Sequence, residues 1–425
     1  MDTVCVIDYG SRTFRAGYCY SFPSDEEPRV VTPCAVTEEP DPAPPNGLQQ
    51  QHGDRAGSSA GASTSGQHTH SNCGQQKGRR VGGLIYPVHR GRLEHPEGLE
   101  VLLHSAFYEL LGWEVDQEGS VVIAEPLFVS RRERELMAQL MFEHFNVNGL
   151  YFQDQATLAL YALGMLSGMV IDIGHGKVDV SVVADGQVVY ASARRLPFAG
   201  VDITRYVADL LASRGLTEGL DPLTLEEAAE SLKEQAAVAA ASGEEYARLS
   251  RSNGGGASSS GEKGGSANGE VQARPQASYT LPDGRTLTLD PHEGYQLAEV
   301  FLDPSILGFD GPGLAELAME AATSSFDPVH KRAGHLSDIL ICGGGSLIPN
   351  LPERIVAEMR ALAPTNVPEP TLLTMPEYLQ GPHTCLHAAW IGGSVLARVL
   401  GHQGLLVNKG EYDEFGPASV HRKCA

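Results

Sequence analysis

The chain is short of positive charge. Its 425 residues hold 31 Lys and Arg against 53 Asp and Glu, a formal net charge of -22. A surface this acidic repels a phosphate backbone, which argues against direct nucleic-acid binding, nonspecific or sequence-specific. It favours basic partners, such as histones or a basic helix. Long hydrophobic runs are also missing. No window reaches the roughly 20 apolar residues of a membrane span, so no membrane partner is expected. Met1-Asp2 lead straight into a strand-like segment, with no basic stretch ahead of an apolar one, so no secretory signal is expected. Cysteine is sparse: the count is 7, an odd number, with no pair at metal-ligand spacing, which fits free thiols in a reducing compartment. The 15 histidines form no zinc motif, and no serine-histidine-carboxylate spacing is present. Paired acids such as Glu226-Glu227 and Glu244-Glu245 read as solvated helix faces.

What is present is a large apolar complement, 42% of the chain, enough for the cores of two domains. Two polar tracts interrupt it. Residues 37–80 and 248–278 are rich in Gly and Ser with almost no large apolar side chains, so neither can offset its ordering entropy and both are expected to be disordered insertions. The cluster Lys77-Gly78-Arg79-Arg80 is basic but too short to serve as an import signal by itself. Outside the tracts, apolar spacing predicts strands over 3–9, 13–20 and 121–128 and helices over 99–113, 131–146, 155–166, 202–214, 224–241, 313–326, 352–362 and 388–399. Residues 168–189 alternate like a hairpin with Asp185-Gly186 at the turn, and Pro282-Asp283-Gly284 marks another. The alternation of strands and helices gives an α/β class. The segment at 168–189 echoes the opening hairpin, since each has a strand ending in Asp, one further residue, Gly, and a returning strand. Two such hairpins suggest an internal duplication.

Three glycine-bearing turns after strands are the candidate sites: Asp8-Tyr9-Gly10-Ser11, Asp172-Ile173-Gly174-His175-Gly176 and Gly343-Gly344-Gly345-Ser346. Glycine lets backbone approach a phosphate closely, and the N–H groups of a tight turn bind anions. An Asp at each strand end suits Mg²⁺, usually through water. Arg15, on a returning strand, could reach phosphates. Each turn alone is common; three in this order point to a nucleotide.

Further residues carry a resemblance. Trp390-Ile391-Gly392-Gly393-Ser394, then Glu411-Tyr412-Asp413-Glu414 through Gly416-Pro417 to Val420-His421-Arg422-Lys423-Cys424, are similar to the end of actin nearly residue for residue. Tyr86-Pro87, Glu125-Pro126-Leu127, Met141-Phe142-Glu143, Gln155-Ala156, Pro282-Asp283-Gly284 and Pro304-Ser305-Ile306-Leu307-Gly308 match as well. The chain thus resembles the actin family over most of its length outside the two tracts. Gly112-Trp113-Glu114, Val147-Asn148-Gly149, the His175 loop and Leu232-Lys233-Glu234-Gln235 resemble the plant-type nuclear branch of the actin-related proteins. The resemblance implies an actin-like ATPase fold: two similar domains around a nucleotide cleft, in four subdomains. The first domain would span 1–166 and the second 167–385, with 386–425 returning to the first. It implies ATP or ADP with Mg²⁺ as ligand. Asp8, Gln155 and Asp172 would lie around the ion. Gly10, Ser11, Arg12, Arg15, Gly174, His175 and Gly176 would hold phosphates, Lys233 and Glu234 would sit beside the adenosine, and Gly343 and Gly344 would back the nucleotide.

Departures from the family pattern shape the functional expectation. Arg12 stands where the first phosphate loop has Gly, and His175 replaces an Asp in the second. Asp179 replaces a His that helps place the attacking water, and Leu386 takes the place of a Lys near the adenine. Gln155 is kept. Water-orienting geometry must be accurate to within a hydrogen bond, so slow or absent hydrolysis is expected, with the nucleotide as a structural ligand. Residues 37–80 replace the loop by which actin grips the next filament subunit and offer no apolar plug. The expected role is a nuclear scaffold subunit of a chromatin-remodelling complex, with a basic helical segment of the remodelling ATPase, a second actin-like protein and histones as partners. The alternative is a cytoplasmic filament-forming or filament-capping ATPase; a third reading is the end-cap of a dynein-activator complex.

Overall fold

The computed structural model describes residues 4–19, 27–37, 79–81, 83–116, 118–252, 276–324, 336–365, 367–376, 379, 381 and 383–424. In chain order the first group of elements is β1 (Val4–Tyr9), β2 (Thr13–Tyr18), β3 (Val30–Pro33), β4 (Val36–Thr37), β5 (Arg79–Val81), β6 (Leu84–Tyr86), β7 (Val88–His89), β8 (Arg92–Leu93), α1 (Pro96–His104), β9 (Ser120–Glu125), α2 (Arg131–Gln139), β10 (Gly149–Asp154) and α3 (Gln155–Ala162). The second is β11 (Gly168–Ile173), β12 (Val178–Ala184), β13 (Gln187–Val188), β14 (Arg194–Arg195), α4 (Gly200–Ser213), α5 (Pro222–Ala236), α6 (Gly243–Ser252), β15 (Ala277–Thr280), β16 (Thr286–Leu289), α7 (Pro291–Glu299), α8 (Leu314–Ser324), β17 (Ile339–Cys342) and α9 (Leu351–Leu362). The chain closes with α10 (Thr384–Gln403), β18 (Val407–Asn408), α11 (Lys409–Phe415) and α12 (Val420–Lys423). The class is α/β, as the alternation of patterns predicts.

Two sheets dominate, ordered β18-β10-β9-β1-β2-β3 and β17-β11-β12-β13, with β14 also paired to β12. In the first, β1 runs antiparallel to β2 and parallel to β9. In the second, β11 runs antiparallel to β12 and parallel to β17. Each sheet is thus built on a hairpin whose first strand also takes a parallel neighbour, the repeat suggested by the two Asp-bearing hairpins. Both leading strands are buried along almost their whole length, which is why they read as unbroken apolar runs.

Each sheet has its own core. Ile7, Phe14, Phe107, Ile123, Phe142 and Phe152 pack with Tyr412 and Val420 from the chain end. Ile171, Val180, Phe198, Leu232, Leu297, Phe301 and Ile355 form the other. The last segment joins the first sheet: β18 pairs with β10, and the Trp390 indole N–H donates to the Val6 carbonyl at 3.2 Å. Local signals set the helix starts that matter for the cavity. Asp154 caps α3 by accepting from the Thr157 N–H at 2.7 Å, which puts Gln155 at its first position. Asp221 caps α5 through the Leu223 and Thr224 N–H groups, with Pro222 at the first turn.

Several element boundaries differ from those read in the sequence. Thr37 and Arg79-Arg80 belong to strands, because β4 and β5 both pair with β6; residues 38–78 lie outside the described residues. Residues 248–252 continue α6, whose first turn is acidic and last turn basic, and Ala277-Ser278 open β15; residues 253–275 lie outside the described residues. Asp185-Gly186 turns β12 into β13, whereas the tip of the β11–β12 hairpin is Gly174–Lys177, so the segment is a three-strand meander. The helix over 224–241 ends at Ala236, and residues 237–240 continue as buried extended chain. The last long helix starts at Thr384, so the boundary expected at 385/386 falls inside α10. Helix α7 was not foreseen, since its short pattern begins only after Asp290-Pro291.

Candidate functional site

A cavity of about 520 Å³ lies between the two hairpin tips, the turn after β17, and α4, α5 and α10. All fourteen residues singled out from the sequence line it: Asp8, Gly10, Ser11, Arg12, Arg15, Gln155, Asp172, Gly174, His175, Gly176, Lys233, Glu234, Gly343 and Gly344. Ile203, Ala237, Leu297, Phe301, Ile348 and Leu386 make its apolar wall. A cavity with a polar, glycine-rich head and an apolar flank fits a ligand with an anionic end and a flat apolar end.

The hairpin tips are closed alike: the Gly10 N–H donates to the Thr13 carbonyl at 2.9 Å and the Gly174 N–H to the Lys177 carbonyl at 2.8 Å. They also touch. A Cβ on Gly176 would lie 2.1 Å from Ser11 Oγ, so no side chain fits there, and Ser11 Oγ itself accepts from the Gly91 N–H at 3.3 Å. The third turn is equally tight. Gly343 has φ +83° and a Cβ on it would stand 2.5 Å from Asp172 Oδ1, so glycine is required on both counts.

Charges at the tips are already paired. Asp8 is 3% exposed; its Oδ2 accepts from Arg15 Nη1 at 2.9 Å and its Oδ1 from Gln155 Nε2 at 2.7 Å. Asp172 Oδ2 accepts from the Lys177 ammonium, which also reaches Asp179 Oδ2 at 3.2 Å. Burial disfavours the charged lysine, but the carboxylates of Asp172 and Asp179 outweigh it and hold the Lys177 pKa above its ordinary value. Arg195 grips Asp179 with two bonds, Nε to Oδ1 at 2.5 Å and Nη2 to Oδ2 at 2.8 Å. Behind the first hairpin, His387 is 6% exposed. Desolvation, and then the Arg15 charge, press its pKa down to about 4.

Contacts also cross between the segments carrying the two sheets. Arg12 Nη2 meets Glu230 Oε2 at 2.5 Å, from the first hairpin tip to α5. Glu230 is buried, which pushes its pKa up against the opposing pull of Lys233 and Arg12. Lys233, at 3.7 Å from Glu230, donates to Thr204 Oγ1 at 2.9 Å; desolvation lowers its pKa. His175 Nδ1 stands 3.5 Å from the same carboxylate. Arg90 donates to Asp202 at 2.7 Å and to the Pro197 carbonyl at 3.1 Å, while Arg195 donates to the carbonyls of Leu127 and Arg90.

The sequence reading missed Glu230, Lys177 and Arg195 as parts of the site. Glu230 was legible in principle, because it precedes Lys233 by three residues and so shares its helix face. Arg15 Nε and Gln155 Oε1, on residues that line the cavity, are buried with no protein hydrogen-bond partner. One is a donor and the other an acceptor. The residues expected around Mg²⁺ do converge, but they do not fit an ion well as a set. Both Asp8 oxygens are engaged, one Asp172 oxygen holds an ammonium, and a buried cation stands beside them. Among the described residues no His, Cys, Asp and Glu cluster has metal-binding geometry. Asp179, in the place of the water-placing His, has both oxygens committed to Arg195 and Lys177.

Comparison with known proteins gives the family. The actin family model matches residues 2–425. Actin-related protein 7 of rice (Oryza sativa subsp. indica) is 33% identical over 341 residues, covering 80% of this chain and 86% of the rice protein. Actin-related protein 7 of Arabidopsis thaliana is 33% identical over 338 residues, 80% of this chain and 84% of that protein. Actin-related protein 2 of Saccharomyces cerevisiae is 29% identical over 341 residues, 79% and 81% respectively. The chain belongs to the actin family, whose fold is a nucleotide-binding one.

Proposed function

We propose that this member of the actin family is a nuclear scaffold subunit of a chromatin-remodelling complex, holding ATP or ADP as a structural ligand with little or no hydrolysis. In this reading the two sheets belong to two domains that close on a nucleotide cleft, and the 520 Å³ cavity is that cleft. Gly10, Ser11, Gly174 and Gly176 offer backbone to the phosphates, Lys233 and Glu234 lie at the adenosine end, and Gly343 and Gly344 back the nucleotide. The observation that carries the reading is the state of Asp179. A residue that must orient an attacking water has to be aimed at it, and the Asp179 carboxylate is instead clamped by three charged contacts, two from Arg195 and one from Lys177. A bound nucleotide then contributes by linkage, stabilising the closed form by an amount set by its concentration over its Kd. Identity to the rice and Arabidopsis proteins over four fifths of the chain favours the branch to which the sequence motifs point. The net charge of -22 suits a basic helical segment of a remodelling ATPase, with a second actin-like protein or histones as neighbours.

One observation favours the other reading, a cytoplasmic filament-forming or filament-capping ATPase. Gln155 is kept and lines the cavity, and similarity extends to the yeast Actin-related protein 2. Affinity purification of the tagged protein from nuclear and cytoplasmic extracts, read by mass spectrometry, separates the two. Enrichment of a remodelling ATPase in the nuclear fraction is expected. Recovery of cytoskeletal or motor subunits alone, from the cytoplasm, would overturn the proposal.

A further inference from the structure

We propose that nucleotide binding by this chain does not depend on a divalent cation, because Lys177 and Arg15 supply, from the protein itself, the positive charge that an ion would bring to the phosphates. The inference rests on the nucleotide-holding reading above. Its basis is where the carboxylates of the two hairpins spend their charge. A divalent ion at this place needs Asp8, Gln155 and Asp172 to offer oxygens, directly or through water. Asp8 instead shares a charge-assisted bond with Arg15 and takes the amide N–H of Gln155. Asp172 faces the Lys177 ammonium. That ammonium is anchored on its other side by Asp179 at 3.2 Å, and its side chain is only 10% exposed. With Arg195 also on Asp179, the two acids are balanced by two fixed cations, and these repel a third.

The same residues remain fit for an anion. Lys177 and Arg15 both line the cavity. Arg15 lines the cavity beside the glycine turns and is 8% exposed, with Nη1 bonded to Asp8. A guanidinium has five N–H donors, so one that holds a carboxylate through one nitrogen can still bridge to a phosphate. Asp179 belongs to this arrangement rather than to water activation: it is the second anchor that keeps Lys177 at the mouth of the β11–β12 turn.

The test is titration of the purified full chain with ADP and ATP by calorimetry, in excess Mg²⁺ and in EDTA. The expected result is affinities that agree within about threefold across the two conditions. The variant Lys177→Met removes the built-in charge. It is expected to lose at least about tenfold in EDTA and to recover on adding Mg²⁺, a gained metal dependence that a misfolded protein cannot show. Binding by the unaltered chain only when Mg²⁺ is present would overturn the inference and leave the nucleotide reading standing. No binding under either condition would overturn both.

Discussion

The two hairpins share a backbone plan and solve their charge problem differently. In the first, Asp8 stands directly across the strand pair from Arg15, so acid meets base within one hairpin. In the second, Asp172 stands opposite Asp179, and like charges in that register repel. The second hairpin therefore draws on Lys177 from its own tip and on Arg195 from β14, whose register also sets it opposite Asp179. Arg195 in turn donates to carbonyls of Leu127 and Arg90, in the segment of the first sheet. The first pair balances its charge within its hairpin, and Gln155 from α3 adds only a neutral donor. A like-charge pair makes the second hairpin depend on three stretches of chain and ties its geometry to the opposite side of the cavity.

The largest expected effect comes from breaking the second arrangement. Lys177→Met leaves two facing carboxylates with one partner and is expected to cost about 3–5 kcal/mol of unfolding free energy in urea. Adding Asp179→Asn to that variant removes the repulsion and is expected to recover most of the loss; a cost no greater than that of a surface substitution would erase the contrast between the hairpins. The next effect lies behind the first hairpin and is read through pH. His387 is buried neutral, with its pKa lowered to about 4. Between pH 6.5 and 4 the unfolded chain binds a proton that the folded one refuses, so stability falls as pH drops, by about 3 kcal/mol over that window. Denaturation of His387→Gln at several pH values checks this, since the variant is expected to lose that part of the slope. Arg15→Met is expected to cost less than Lys177→Met, about 2 kcal/mol, because Gln155 still donates to Asp8. Equal or larger loss there would show that Asp8 depends on Arg15 as strongly as the facing acids of the second hairpin depend on Lys177. Smallest is Arg12→Gly. The Arg12 side chain is 37% exposed and Glu230 keeps Lys233, so thermal unfolding is expected to move by under about 1 kcal/mol.

Much of this was legible in the sequence where local chemistry decides it. The buried strands ending in Asp8 and Asp172 show as apolar runs before a glycine turn, and the third turn shows as Gly343-Gly344-Gly345. These turns, with Gln155, Lys233 and Glu234 that the family resemblance implied, line one cavity. What stayed hidden depends on register and on distant chain. That Lys177 would turn back onto Asp172, or that Arg195 would lie across from Asp179, follows from the pairing of β12 with β11 and β14, which no spacing in the sequence reveals. Glu230 looked like one more acid on an acidic helix until α5 packed it beneath Arg12. The turn at Asp185-Gly186 is present, between β12 and β13, but its strong signal masked the strand break at Gly174–Lys177, whose tip carries His and Lys. Helices α11 and α12 were read as motif rather than structure, being too short for a periodic pattern.

A cavity that keeps a nucleotide without turning it over is tested by single-turnover phosphate release from ATP bound to the purified protein, with Asp179→His as comparison. No release above the buffer rate is expected from the unaltered chain. Release that is faster than buffer and lost in Gln155→Ala would contradict it, and would make this chain a working ATPase.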